Sequence, residues 1–78
     1  MNYRLYRFDQ QPPEKPPVGM NELVAMGHYL NAKNALYHLL KRVKPNLRMF
    51  YNGQPATHLG LYDWNDRLVH VQKLEGTK

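Results

Sequence analysis

Residues Asn31 to Lys44, Asn-Ala-Lys-Asn-Ala-Leu-Tyr-His-Leu-Leu-Lys-Arg-Val-Lys, decide the fold. Apolar residues keep helical spacing here with no Gly or Pro to interrupt them. Ala32, Ala35, Leu36, Leu39, Leu40 and Val43 recur at steps of three and four, which places them in one stripe along a helix. Pro45 ends the helix, because its predecessor is pushed out of the α region and proline has no backbone donor. Lys41, Arg42 and Lys44 fall in the last turn, where the negative end of the helix dipole favours cations. A lone amphipathic helix needs a surface to cover, and the segments around it read as strands. The expected fold is therefore α+β: a small antiparallel sheet with one central helix packed on one face.

Working outward towards the N-terminus, Met20 to Leu30 suits a helix starting at Asn21-Glu22, which Gly27 would interrupt, or a buried strand. The strand is preferred, with Asn31 or Asn34 capping the helix behind it. Asp9 to Gly19 carries Pro12, Pro13, Pro16 and Pro17, which force an extended, polyproline-like path. The preferred reading is a semi-rigid connector crossing the sheet. Pro13-x-x-Pro16 with Lys15 also fits a proline-recognition groove. Asn2 to Phe8 reads as an aromatic strand with Tyr3, Leu5 and Arg7 on one face and Arg4, Tyr6 and Phe8 on the other. An arginine on each face suggests an edge strand, or a strand whose outer face awaits a partner.

On the C-terminal side the turn signals repeat. Leu47 to Tyr51 runs into Asn52-Gly53, a dipeptide suited to a two-residue hairpin. Pro55 delays the next strand or keeps it at an edge. His58 to Tyr62 follows, with Gly60 weakening it or marking a bulge. Asp63-Trp64-Asn65-Asp66 supplies turn residues, and Arg67 to Leu74 alternates as a strand, Leu68, His70, Gln72 and Leu74 facing one way. The three runs from Leu47 to Leu74 are expected to form a meander, and the last four residues to fray. Residues 1–78 make one domain, with the proline-rich connector at 9–19.

Composition removes several kinds of chemistry. With no cysteine there are no disulfides, thiolate metal sites or cysteine nucleophiles, and with no serine there is no serine-hydrolase chemistry. His28, His38, His58 and His70 lack the i, i+4 spacing of zinc enzymes, so no metal site is expected. Asp63 and Asp66 are turn carboxylates without the cleft that paired-carboxylate hydrolysis needs. No Gly-rich loop leads into a helix to cradle a phosphate. The chain reads as a non-enzyme with no cofactor. The opening residues lack the apolar core of a signal peptide, and no run would span a bilayer, so a cytoplasmic location and no membrane partner are expected.

Binding remains. The formal net charge of +5 is lopsided: Arg4, Arg7, Lys15, Lys33, Lys41, Arg42, Lys44 and Arg48 face only Asp9, Glu14 and Glu22 in residues 1–50. Such a field attracts nucleic acid or an acidic protein surface, and also promotes solubility. Tyr3, Arg4, Tyr6, Arg7 and Phe8 interleave rings with cations, the composition of interface hot spots and of single-strand platforms. With electrostatic support from Lys41, Arg42 and Lys44, they are the expected partner-binding residues. An edge strand carrying them would extend a partner's sheet.

The aromatic-basic start Met1-Asn-Tyr-Arg-Leu-Tyr-Arg-Phe8, the central helix and the run from Leu47 to Leu74 together resemble small bacteriophage regulators that bind host RNA polymerase, among them the transcription inhibitor and antiterminator of a Xanthomonas phage. The resemblance is one of layout and transfers no contact residues. It implies a protein that acts by occupancy on the host transcription machinery, altering initiation, pausing or termination in the host cytoplasm. Small phage inhibitors of CRISPR complexes share the same size and compactness. A small basic single-stranded nucleic-acid-binding protein is the alternative.

Overall fold

A computed structural model describes residues 1–19, 22–43, 50–51 and 54–74. Strands β1 (Asn2–Phe8) and β2 (Leu23–His28) precede helix α1 (Ala32–Val43). The short strands β3 (Phe50–Tyr51) and β4 (Gln54–Pro55) follow, then β5 (His58–Tyr62) and β6 (Leu68–Lys73). The result is a small α+β domain, a four-stranded antiparallel sheet with one helix on a face.

The helix begins where Asn31 can satisfy it. Its Oδ1 accepts a 2.8 Å hydrogen bond from the Asn34 amide, and its carbonyl accepts from the Ala35 amide at 3.0 Å. Asn31, not Asn34, is thus the cap. Ala35 and Leu39 are fully enclosed, with Ala32, Leu36 and Leu40 packed around them. The stripe lies against β2 and β1, where it meets Tyr3, Leu5, Ala25, Leu59 and Leu61. Burying side chains such as Leu5, Leu39 and Leu61 contributes about 1.5–3 kcal/mol each, and this cluster is the main core.

Strand order is β2-β1-β5-β6, so β1 lies inside the sheet with a bonded neighbour on each side. This corrects the expectation of an edge strand. An arginine on each face of β1 does not require an open edge, because long side chains can reach past the strand to water while their stems pack. The expected three-stranded meander is also corrected: β3 pairs with β4 as a separate ribbon, and β5 pairs with β1 instead. Tyr51 opposite Gln54 leaves two residues between β3 and β4, a spacing that suits Asn52-Gly53. The geometry of those two residues lies outside the described ones, as do most of the 47–51 run and the C-terminal residues 75–78.

The second face of the sheet has its own core. Tyr6, Phe8 and Tyr62 form an aromatic cluster, joined by Leu23 and Leu68. Tyr6 and Tyr62 meet edge to face at 5.5 Å between centroids, a favoured quadrupole arrangement. The proline segment passes over this cluster. Pro12 is buried, and the Tyr62 hydroxyl donates a 2.6 Å hydrogen bond to the Pro13 carbonyl. Gly60 permits the close approach: a Cβ there would stand 3.0 Å from the Phe8 ring and 3.1 Å from Pro12. The expected bulge is not at Gly60. It lies opposite the Leu61/Tyr62 step, where Val69 is the extra residue in β6. That insertion breaks the simple alternation expected for Arg67 to Leu74. Leu68 joins the aromatic cluster while Leu74 joins the helix core.

Candidate functional site

The ring-and-arginine stretch of β1 is not a surface. Tyr3, Tyr6 and Phe8 expose only 3%, 1% and 9% of their area, so none is available to a partner. Alternation on a central strand sends Tyr3 to the helix core and Tyr6 and Phe8 to the aromatic cluster, and both faces are covered. Arg4 serves the fold as well. It forms an ion pair with Asp66 and donates to the Tyr6 hydroxyl at 3.3 Å, its guanidinium 5.9 Å from the Tyr6 ring centre. Arg7 is partly buried, with Nε and Nη1 shielded from water and unpaired among the described residues. The expected site residues Tyr3, Arg4, Tyr6, Arg7 and Phe8 thus become interior or structural ones.

Their carboxylate neighbours are structural too. Asp63 is buried, and its Oδ1 accepts from the Asn65 amide at 2.9 Å and the Arg67 amide at 3.0 Å. The turn closes with Asp66 at φ 60°, a left-handed position that aspartate tolerates. Trp64 stands on this turn, half-exposed, with its ring edge-on to Tyr3 at 5.7 Å. Among the described residues, no three His, Asp or Glu side chains are grouped to hold a metal ion, and no helix is long and apolar enough to cross a membrane.

The accessible basic and aromatic chemistry lies on the outer side of α1. Lys33, Tyr37 and Lys41 are spaced by four, so they stand above one another on the face turned from the core. Tyr37 is 60% exposed, and the Lys41 ammonium lies 5.4 Å from its ring centre. The neighbouring stripe is tied down. His38 stacks on Tyr29 at 5.5 Å, and the Arg42 Nη1 donates to the Met26 carbonyl at 3.1 Å. Of the expected helix cations, Lys41 therefore remains presented, Arg42 is engaged with β2, and Lys44 lies outside the described residues. Leu30, largely exposed, precedes the helix.

Tyr37 and Lys33 were not among the expected site residues. A signal for them exists in the chain: no Asp or Glu occurs between Leu23 and Tyr62. The helix therefore carries its cations with no carboxylate of its own to neutralise them. Comparison with known proteins adds no family: no protein-family model, curated protein or solved structure matches the chain.

Proposed function

We propose that this chain is a non-enzymatic binding protein that acts by occupancy, presenting the outer face of α1 to an acidic surface of a large host assembly. The observation that carries this reading is the Lys33–Tyr37–Lys41 stripe, an exposed ring with the Lys41 ammonium beside it and Lys33 one turn away, in an acid-free part of the chain. Tyrosine supplies rigid contact area at small entropic cost, while lysines around it steer association with anionic partners. The likeness in layout to phage regulators makes transcription machinery, RNA polymerase first, the partner class to test, with altered initiation or antitermination as the consequence. A CRISPR complex would be occupied in the same manner.

The exposed Tyr37 ring also supports a second reading, single-stranded nucleic acid, since a base can stack on it while Lys33 and Lys41 meet phosphates. Capture from bacterial lysate, with and without nuclease, separates the two. An RNA polymerase subunit retained after nuclease treatment supports the first. Retention of nucleic acid alone, with an affinity falling log-linearly with salt, supports the second. Capture of neither, or binding unchanged by charge reversal at Lys33 and Lys41, overturns the assignment to this face.

A further inference from the structure

The sheet has two outer strands, and they are closed to different degrees. Alternating hydrogen bonds in an antiparallel pair mean that every second residue turns its backbone groups outward. On β2 the bond from the Tyr29 amide to the Met1 carbonyl sets the phase. Gly27 and Ala25 bond inward to β1 and Met26 points out, where Arg42 occupies its carbonyl. On β6 the bond from the Leu74 amide to the Thr57 carbonyl sets the phase. His70 and Gln72 then bond inward to β5, and Val71 and Lys73 point out. Among the described residues nothing pairs with either backbone amide, and the Lys73 carbonyl takes only a 3.3 Å bond from the Gln72 side chain.

We infer that the β6 edge docks an extended acidic segment of a partner protein, which adds as a fifth strand along Val71 and Lys73. Charge selects the occupant. Lys73 stands on this edge with Arg67 just before its start, and β6 contains no carboxylate. Carboxylates on an added strand would meet those cations, while its backbone satisfies the open amides. A second copy is the poorer fit, because it would bring together two molecules of net charge +5 along their basic edges. The Val69 bulge also limits the regular part of the edge to a short run, which suits a peptide more than a long strand. This inference rests on the reading of the chain as a protein-binding module, and uses a surface other than α1.

The test uses the full chain and two synthetic hexapeptides, one alternating Glu and Val, the other Lys and Val. Amide exchange and chemical shifts are followed by NMR. Expected is slower exchange at the Val71 and Lys73 amides with the Glu peptide, none with the Lys peptide, and binding that weakens with salt. Val71→Pro, which deletes an outward amide but no bond to β5, should weaken binding about tenfold or more. Because that change could disturb folding, Lys73→Glu is measured beside it and should weaken binding in the same direction. Equal binding of both peptides overturns the inference, as do shifts confined to α1. Protection of Val71 that rises with protein concentration, without peptide, overturns it in favour of a second copy. Charge reversal at Lys33 and Lys41 should leave peptide binding intact. If that variant loses the host assembly and the parent chain ignores the peptide, the β6 inference fails alone.

Discussion

Tyr62 shows how one side chain can hold two layers together. Its ring fills the aromatic cluster, and its hydroxyl fixes the proline segment through Pro13. Burial, with Tyr6 beside it, pushes its pKa up from 10.0 to about 12. The fold therefore favours the neutral phenol. The contribution is fully present below the unfolded value of 10.0 and is lost as pH rises through the folded value of about 12. Urea unfolding should show stability falling across that alkaline window, and Tyr62→Phe should flatten the fall while lowering stability at neutral pH by about 1 kcal/mol. Gly60 answers to the same contact. Gly60→Ala puts a methyl against Phe8, Pro12 and Tyr62, and should destabilise by about 1–3 kcal/mol in the same assay.

Among the elements, α1 and β1 carry the packing between them. Leu39 is wholly enclosed between the helix and the sheet, and Leu39→Ala should cost about 2–5 kcal/mol, seen as a lowered urea midpoint. β1 touches both cores and pairs on both sides, so its arginines are not spare charges. Replacing Arg4 and Arg7 together by Glu sets one carboxylate beside Asp66 and buries part of another. A loss of about 2 kcal/mol or more should appear in thermal unfolding, where a solvent-exposed edge strand would have shown almost none. The same position places the β1 rings in the cores and not on a contact surface. Tyr and Phe on a strand suit an interface or a core equally well, and only the strand's place in the sheet separates the two.

Across the whole molecule, charge is segregated from structure. The fold engages Arg4 and Arg42 in internal contacts, partly buries Arg7, and leaves Lys33 and Lys41 on the outward side of the helix. Reversing both, Lys33→Glu with Lys41→Glu, should abolish capture of the partner while changing stability by no more than about 0.5 kcal/mol. Pull-down and thermal unfolding on the same preparation check the two halves of that statement. Lys41 is legible from the basic end of the helix, whereas Lys33 is not. Tyr37 is not legible either, because a single aromatic on a polar face carries no pattern; it acquires meaning from the Lys41 ammonium beside it and from the acid-free stretch of chain around it.

Local rules were enough for the helix, a capping asparagine at Asn31 or Asn34, the strand nature of Leu23 to His28 and the α+β class. Each depends on residues a few positions apart, whose spacing the backbone converts directly into a face or a cap. Tertiary structure alone decided that β1 sits in the centre, that β3 leaves the sheet, and that the prolines roof a second core. Those outcomes join residues such as Arg7 and Leu59, or Pro13 and Tyr62, that lie far apart in the chain. Their proximity follows from competition among strands for hydrogen-bonding partners and buried area, a property of the assembled sheet and not of any one segment.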